Sequence, residues 1–469
     1  MKALHEWIGR TASAVMNGTR ALRATTRCAE RHYREGRRFR REARQWSDER
    51  REGWVLAQLR RRVRLAAETP FYRERFRDAG FDPSGDFTYR DFARLPVLER
   101  ADVSGRWADM LSPRVDAAER RKDGTGGSTG TPLTYWSGPE ERGWRLSGQD
   151  DFMACLGLER GTRMAFLWGH HIDQRERERW RDRVRDLLLN RRWYDCFRLS
   201  PEVLQQYHAS LSRGRPDGLL AYASALDALA SELLAGGLRA TYPSRCLVTG
   251  AEKLWPAQRA RIEAAFPVPV HEQYGSRELG LVASQRGDPS TSHALCVDWA
   301  NLLVEPETEG EDSAIIVTKL HADAMPMLRY RVGDQGRFPS GSRPGAPCWT
   351  LEEVLGRQLD GLHLPDGRWV HGVGIPHMMK DLPVREFQIV QAADYSIEVL
   401  VVPGPDYAPD AGLLVERVLR ENLPGVSIQV RTSESIPRSA ANKWRPVMTH
   451  VVPTAVDPVA VAPSPAEFP

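Results

Sequence analysis

The chain has 469 residues, 41% hydrophobic and 27% charged, which is typical of a folded globular protein and excludes a wholly disordered one. Its 66 basic and 62 acidic residues give a net charge of +4, so composition offers no argument for a nucleic-acid partner. No apolar run reaches the length of a membrane span, and the length favours two or three domains over one core.

The cysteines are scattered singly, without a Cys-x-x-Cys pair, and no signal peptide with a cleavage pattern opens the sequence. Isolated cysteines of this kind indicate reduced, buried thiols, and we therefore expect a cytoplasmic protein. The six are Cys28, Cys155, Cys196, Cys246, Cys296 and Cys348.

The first 64 residues are rich in arginine, with acidic residues interleaved and few helix breakers after Gly36. This pattern predicts an exposed helix laced with ion pairs. The alternative is a surface for an anionic membrane, a partner protein or a nucleic acid.

A glycine-rich tract follows at residues 123–133, which read DGTGGSTGTPL. Glycines let backbone N–H groups turn inward, and hydroxyls add donors, so such a tract can cradle phosphate oxygens; a flexible linker is the alternative. No lysine follows Gly130, which excludes a Walker loop, and Glu140 comes too early for a dinucleotide fingerprint. The candidate phosphate-binding residues are Thr125, Gly126, Gly127, Ser128, Thr129 and Gly130.

Beyond this tract, the pattern predicts a helix over 138–158 and a buried strand over 164–168. The charged run 173–186 is predicted to be a solvated helix. From Gly218 to Gly237, apolar residues recur every three or four positions, which predicts one buried helical face.

The next stretch alternates strands and helices. Residues 246–249 and 268–270 are predicted strands around a helix over 256–266, an order that indicates a parallel α/β layer. Further along, 302–306 and 314–318 are predicted to form an antiparallel pair.

Residues 271–280, HEQYGSRELG, place an aromatic ring, a glycine and a carboxylate at a spacing that suits a nucleotide site. The ring of Tyr274 can cover a purine, Gly275 allows close backbone approach, and Glu278 can hold a hard cation such as Mg²⁺ against phosphate. Asp334 follows a β-type run at 328–333, and a carboxylate accepts the two hydroxyl hydrogen bonds of a ribose diol; a surface turn is the alternative.

The C-terminal part reads β–β–α–β, with strands at 387–390, 396–402 and 426–430 and a helix at 413–423. This order fits a small α+β lid domain. The Pro-, Ala- and Val-rich tail from residue 451 is expected to be disordered.

Taken in order, these motifs resemble the signatures of the adenylate-forming superfamily, which contains acyl-CoA synthetases, peptide-synthetase adenylation domains and luciferases. The segments TPFYRERF at 69–76 and LPVL at 95–98 resemble the phenylacetate-CoA ligase-like branch and its capsule-biosynthesis, CapK-like relatives. The resemblance covers residues 70–445.

The resemblance implies roles for the motif residues. The glycine-rich loop would close over the β- and γ-phosphates of ATP, Tyr274 would stack on adenine, and Glu278 would bind Mg²⁺. Asp334 would hold the ribose. Arg277 stands where most members have a phosphate-contacting threonine and is expected to take over that contact, unless the site is altered. The other matched ATP-site residues are Gly250, Ala251, Glu252, Gly275 and Ser276.

Two further segments match the family, one at the start of the predicted small domain and one near its end. Arg357 would touch the ribose or a phosphate, and Asp360 is the expected hinge residue. Lys443 matches the adenylation lysine, which with Mg²⁺ would neutralise charge at the α-phosphate. Asn442 replaces the family's glycine, a mild change because asparagine tolerates left-handed backbone.

The sequence thus predicts an α/β fold with a large domain over 65–359 and a small α+β domain over 360–450, after an extension over 1–64 and before a tail over 451–469. The expected reaction joins a carboxylic acid to AMP and passes the acyl group to a thiol, with CoA as the first expected acceptor. A carrier-protein thiol or an amine remains open.

Strand ends in α/β layers gather ligands, so the acid pocket is expected to be lined by Trp168, His170, His171, Tyr222 and Ser224. Two other classes stay open. One is a binding scaffold on the same fold. The other is a metal-dependent hydrolase using these histidines or a His-x-x-Cys spacing at 293–296, which no clustered ligand set supports.

Overall fold

The computed structural model describes residues 27–124, 133–169, 184–196, 199–254, 256–356, 362–366, 369–370, 374–379, 382–404, 407–434, 436 and 447–451. The chain divides near residue 358 into two compact units, a large one before this point and a small one after it. The predicted tail and most of the predicted helix over 173–186 lie outside the described residues.

The large unit contains nine of the described helices. They are α1 (Arg27–Ala43), α2 (Asp48–Ala66), α3 (Pro70–Asp78), α4 (Tyr89–Phe92), α5 (Arg100–Arg106), α6 (Pro139–Cys155), α7 (Pro201–Gly214), α8 (Ala223–Ala235) and α9 (Pro256–Ala265). Their starts follow local chemistry: the side chain of Thr69 accepts from the N–H of Tyr72 ahead of a proline at the first helical position of α3.

Its described strands fall into a hairpin and two sheets. They are β1 (Arg121–Gly124), β2 (Thr134–Ser137), β3 (Met164–Leu167), β4 (Arg191–Tyr194), β5 (Gly218–Tyr222), β6 (Cys246–Gly250), β7 (Val270–Ser276), β8 (Gly280–Ser284), β9 (Leu295–Val297), β10 (Leu302–Pro306), β11 (Asp312–Lys319), β12 (Tyr330–Arg337), β13 (Thr350–Leu351) and β14 (Glu353–Gly356).

The main sheet has the strand order β13-β9-β8-β7-β6-β5-β3-β4. Strands β4, β3, β5, β6 and β7 run parallel, and β8, β9 and β13 continue the sheet antiparallel. The parallel layer predicted for β6, α9 and β7 is therefore confirmed. A second, antiparallel sheet has the order β10-β11-β12-β14 and contains the predicted pair of β10 and β11.

Two local predictions are corrected, and a strand is found at the start of the glycine-rich tract. Residues 218–222 are not helical but form β5, buried between β3 and β6, because a short apolar run cannot be assigned to strand or helix by periodicity alone. Asp334 lies within β12 and not after it. A strand, β1, directly precedes the glycine-rich tract, and Gly124 pairs with Thr134, so the tract connects the two strands of a hairpin.

The N-terminal helices pack into the large unit, which corrects the prediction of a solvated helix. Val55, Leu59 and Val63 on α2 are fully buried in its core. The predicted ion pairs are present on the outer faces, as between Arg38 and Glu42 on α1 and between Arg51 and Asp48 on α2. The high density of arginine in the sequence obscured the apolar positions that form this buried face.

Two arginines of these helices are buried and paired. Arg40 forms an ion pair with Asp298, which follows β9. The guanidinium of Arg62 donates to a Glu140 carboxylate oxygen at 3.2 Å and to the carbonyl of Leu320 at 3.1 Å. Arginine suits such positions because its planar group can satisfy several acceptors at once.

The start of α6 is capped by a residue distant in sequence. The Asp323 carboxylate accepts from the backbone N–H groups of Glu140 at 3.0 Å and Glu141 at 3.4 Å. The Glu140 side chain contacts His321 Nδ1 at 3.0 Å. Burial opposes the Glu140 charge, but the hydrogen bond with His321 and the charge of Arg62 lower its pKa to about 2.

Replacing Asp323 by alanine should lower the free energy of unfolding of the large unit by about 1–2 kcal/mol, because two buried N–H groups lose their acceptor. Urea denaturation followed by circular dichroism measures this. Ser200→Ala is the matched control: Ser200 caps α7 at an exposed position, where water can replace it, so its loss should cost less. Equal effects of the two substitutions would contradict this account.

The small unit contains α10 (Gly374–Met379) and α11 (Ala411–Asn422), with strands β15 (Leu362–His363), β16 (Trp369–Val370), β17 (Val384–Gln391), β18 (Ile397–Pro403), β19 (Ile428–Thr432) and β20 (Val447–Thr449). Its sheet has the order β19-β18-β17-β20. The β17-β18 pair is antiparallel, whereas β19 and β20 add in parallel. The predicted β–β–α–β order is present as β17, β18, α11 and β19.

The described cysteine side chains are free thiols. Cys196, Cys246 and Cys348 are buried, as expected, whereas Cys155 is exposed. The scattering of single cysteines therefore predicted their unpaired state correctly within the described residues, but not the exposure of each one.

Candidate functional site

The parallel strands bring three of the predicted segments to the same sheet edge. Trp168 directly follows β3, Tyr222 ends β5, and Gly250 ends β6, where it is the register partner of Tyr222. The rings of Trp168 and Tyr222 lie with centroids 4.4 Å apart, tilted by 56°. Carboxyl ends of parallel strands meet at one edge, so these side chains share a surface.

The loop after β6 turns through a left-handed residue. Ala251 has a φ of +66°, a conformation that a side chain disfavours and that tight functional turns often contain. The turn brings the Glu252 carboxylate to the start of α8, where it accepts from the backbone N–H of Ser224 at 2.8 Å. Burial raises the pKa of Glu252, which favours its neutral form.

Cys196 lies near this carboxylate and was not predicted as a site residue. Burial, with Glu252 contributing, raises the pKa of its thiol to about 12. A thiol with so high a pKa is a poor nucleophile at neutral pH.

Tyr274 and Asp334 meet, although they are 60 residues apart on strands of different sheets. The Tyr274 hydroxyl on β7 donates to Oδ2 of Asp334 on β12, at 2.7 Å. Asp334 is only 9% exposed. The aromatic ring proposed for the base and the carboxylate proposed for the ribose therefore form one connected pair.

The turn between β7 and β8 carries Arg277 and Glu278. The Arg277 carbonyl accepts from the Tyr135 hydroxyl and from the Arg145 guanidinium, both at 2.6 Å. Its own guanidinium donates to the carbonyl of Gly124 at 3.2 Å, where the glycine-rich tract begins. The structure thus brings the segment 271–280 into contact with the start of the glycine-rich tract.

Close packing at this turn requires Gly275. A Cβ added there would collide with the carbonyl oxygen of Gly280 on the paired strand. Glycine is the residue that permits such an approach of two backbones. The glycine between Tyr274 and Glu278 therefore has a local steric reason in this chain.

Glu278 is buried, at 2% exposure, and its charge acts on the ammonium of Lys319. Lys319, at the end of β11, donates to Glu141 Oε1 at 2.8 Å and is fully buried with it. Burial lowers the pKa of Lys319, while the negative charges of Glu141 and Glu278 act in the opposite direction.

Sequence reasoning missed four side chains of this site: Tyr135, Glu141, Arg145 and Lys319. Only Lys319 gave a signal, as a charged residue ending the otherwise apolar run of β11. The other three lie in segments whose local pattern reports a strand or a helix and nothing about the partners they meet.

Several predicted site residues lie outside the described residues. They are Thr125, Gly126, Gly127, Ser128, Thr129, Gly130, His170, His171, Arg357, Asp360 and Lys443.

The described side chains fit a nucleotide with Mg²⁺. Tyr274 offers a ring and Asp334 a carboxylate for the nucleoside, and Glu278 offers one carboxylate. Mg²⁺ bound together with substrate phosphates needs only one or two protein carboxylates. Within the described ranges, no three His, Cys, Asp or Glu side chains are grouped as metal ligands.

Comparison of this structure with solved structures finds 2-hydroxyisobutyryl-CoA ligase. Its complex with 2-HIB-AMP and CoA, in the thioesterification state, aligns with a TM-score of 0.59 at 19% identity, over 86% of this chain and 90% of that one. Its postadenylation state with R3-HIB-AMP aligns with a TM-score of 0.53 at 18% identity, over the same shares of the two chains. The chain has the fold of the adenylate-forming enzymes. The predicted α/β architecture with a smaller C-terminal domain is thereby confirmed, and the likeness is one of fold.

One curated protein is also similar to this chain in sequence. Protein CapK of Staphylococcus aureus is 25% identical over 252 residues, which is 53% of this chain and 54% of CapK. The match thus spans about half the length of this curated relative. No family model matches the chain. The resemblance to adenylate-forming enzymes, with a CapK-like relative, is confirmed by these two findings together.

Among the helices that the structure describes, none is long and apolar enough to cross a membrane.

The sheet edge at Trp168 and Tyr222 leads us to predict that residues there affect which carboxylic acids the protein prefers. Tyr222→Phe and His171→Ala should each shift the ranking of carboxylic acids by a few-fold in the rate of pyrophosphate release. Tyr222 ends β5, and the carboxyl ends of parallel strands gather ligands, so loss of its hydroxyl should alter contacts with the acid. His171, outside the described residues, is predicted from the sequence to line the same pocket. Cys246→Ser, at the start of β6 and therefore at the opposite edge of the sheet, is the control. Unchanged rankings in both variants would remove these residues from the acid pocket.

Proposed function

We propose that this protein activates a carboxylic acid with ATP and Mg²⁺ to give an acyl-adenylate and pyrophosphate, and then transfers the acyl group to a thiol, with CoA as the preferred acceptor. We place it in the phenylacetate-CoA ligase-like branch and in the cytoplasm. The observation that carries the proposal is the Tyr274–Asp334 hydrogen bond beside the Arg277 contact with Gly124. It joins three predicted nucleotide motifs in one place.

In this proposal the described residues bind and orient the nucleotide. Tyr274 covers the adenine and is held in place by Asp334, whose remaining acceptor capacity serves the ribose hydroxyls. Arg277, already directed to the start of the glycine-rich tract, contacts a phosphate in place of the family's threonine. Gly250, Ala251 and Glu252 border the base.

The chemistry explains why a nucleotide is needed. A carboxylate is a poor electrophile because its leaving group would be oxide. Attack of its oxygen on the α-phosphorus of ATP breaks the bond to pyrophosphate and forms a mixed anhydride with a good leaving group. A thiolate then attacks the acyl carbon, and AMP departs.

Mg²⁺ held by Glu278 would stabilise negative charge on the phosphate oxygens as pyrophosphate leaves. Lys443 would contact the acid carboxylate and the α-phosphate during the same step. Arg357 would contact the ribose or a phosphate, and Asp360 would serve as the hinge of the small domain.

The test is a pyrophosphate-release screen with purified protein, ATP and Mg²⁺ over aryl, amino and fatty acids, followed by CoA, a carrier-protein thiol or an amine. Acid-dependent release with an acyl-CoA product supports the proposal. Release without a CoA product but with an acylated carrier or amide would change the acceptor. Absence of ATP binding by calorimetry in folded protein would refute adenylation. ATP binding without turnover would favour the scaffold alternative.

A further inference from the structure

The β7–β8 turn is held from two other elements. Tyr135 on β2 and Arg145 on α6 both donate to one acceptor, the carbonyl of Arg277, at 2.6 Å each. Two donors on a single carbonyl oxygen use both of its lone pairs and leave it little freedom to rotate. The orientation of the peptide between Arg277 and Glu278 is thereby defined by side chains outside the motif.

Arg145 is itself constrained. Its Nη1 lies 3.5 Å from Glu141 Oε1, one helical turn earlier, and the same oxygen accepts from Lys319 at 2.8 Å. Gly280, with a φ of +80°, allows the Arg145 side chain to lie against the backbone, since a Cβ there would stand 2.8 Å from Arg145 Nε. The guanidinium is therefore fixed by a carboxylate on one side and by a glycine surface on the other.

The Glu141–Lys319 pair closes this arrangement. Both residues are fully buried, and the Lys319 ammonium also lies 5.3 Å from the centroid of the Tyr135 ring. Lys319 thus contacts one donor to the Arg277 carbonyl, Tyr135, directly and is connected to the other, Arg145, through Glu141. A buried ion pair contributes little net stability for its cost, but it specifies one arrangement of the groups around it.

We propose that Arg145 is a positioning residue for nucleotide binding: through the Arg277 carbonyl it orients the Arg277 guanidinium and the Glu278 carboxylate, and the Glu141–Lys319 pair orients Arg145. This inference rests on the proposed function. Arg145 touches neither nucleotide nor metal in this account. Its contribution is the geometry of the turn.

The experiment compares Arg145→Met with Arg60→Met. Arg60 is the matched control because its side chain is similarly accessible, donates to one backbone carbonyl, that of Phe87, and pairs with one acid, Asp86. Calorimetry measures ATP affinity with Mg²⁺ and, separately, with a chelator. Thermal unfolding without ligand measures stability.

Arg145→Met should weaken ATP binding in the presence of Mg²⁺ about tenfold and reduce the gain in affinity that Mg²⁺ provides, since one well-placed hydrogen-bond network is worth roughly a factor of ten. Arg60→Met should change either affinity less than about twofold. Arg145→Lys, which keeps one donor and the charge, should recover part of the loss. If Arg145 had only a structural role, Arg145→Met would lower the thermal stability of the protein and leave the effect of Mg²⁺ on ATP affinity unchanged.

The outcomes separate the two proposals. If the wild-type protein does not bind ATP, the proposed function and this inference both fail. If the wild type binds ATP and Arg145→Met binds it as tightly as the wild type does, both with and without Mg²⁺, the inference alone is overturned. If Arg145→Met does not fold, Arg145→Lys decides the question, because an unchanged Mg²⁺ effect in that folded variant overturns the positioning role.

Discussion

Lys443→Ala is expected to slow acyl-adenylate formation by a factor on the order of a hundred or more, by analogy with the loss of an oxyanion donor. The lysine ammonium is a compact charge that suits a position between the acid carboxylate and the α-phosphate. Its contacts strengthen as charge builds in the transition state, so the loss falls on rate more than on binding. The measurement is single-turnover pyrophosphate release.

The second half-reaction is the internal control. ATP affinity of Lys443→Ala should change little, and acyl transfer from a supplied acyl-adenylate should survive, because the proposed role of Lys443 is confined to the adenylation step. Lys443→Arg keeps the charge in a planar, larger group and should recover only part of the rate. If both half-reactions fall equally, Lys443 supports the fold or a domain interface and has no specific role in adenylation.

Asp334→Asn is expected to weaken ATP binding by roughly ten- to a hundredfold, because a hydrogen bond to a charged group contributes about 1.5–3 kcal/mol. The substitution is isosteric, and the amide oxygen can still accept from the Tyr274 hydroxyl, so the large unit should stay folded. Isothermal calorimetry with ATP and with AMP measures the effect. Similar losses for both nucleotides are expected, because both contain the ribose.

Tyr274→Phe tests whether this pair acts as a unit. Loss of the hydroxyl frees Asp334 from its 2.7 Å partner while keeping the aromatic ring. The single variant should weaken ATP binding less than Asp334→Asn does, and the double variant should be no weaker than the sum of the two predicts. An unchanged ATP affinity in Asp334→Asn would exclude this carboxylate from the ribose site.

Much of the chemistry could be anticipated from short stretches of sequence. A motif such as residues 274–278 combines its ring, glycine and carboxylate within five positions, and the backbone geometry of one strand and turn holds them together. The identity of Asp334 as a candidate was likewise local. What local sequence could not provide is that Tyr274 donates to Asp334 across two sheets, because that contact depends on how the sheets pack.

The errors have the same origin. The apolar spacing from Gly218 onward continued through a strand into α8, and only the pairing of β5 with β3 and β6 distinguishes the two elements. The arginines of α1 and α2 indicated a solvated surface, yet Arg40 and Arg62 are buried against acidic partners from distant segments. Charge density along a helix does not report which charges will find a buried partner.

The sequence by itself therefore determined the residue types of the nucleotide motifs, their order, and most of the helices and strands that carry them, because these follow from side-chain chemistry and periodicity over a few residues. The tertiary structure alone decided which distant groups support them: Arg145 on the Arg277 carbonyl, Lys319 on Glu141, and Asp323 at the start of α6. Such contacts join segments up to 183 residues apart. No local pattern encodes them, since each partner's own segment is equally compatible with many other neighbours.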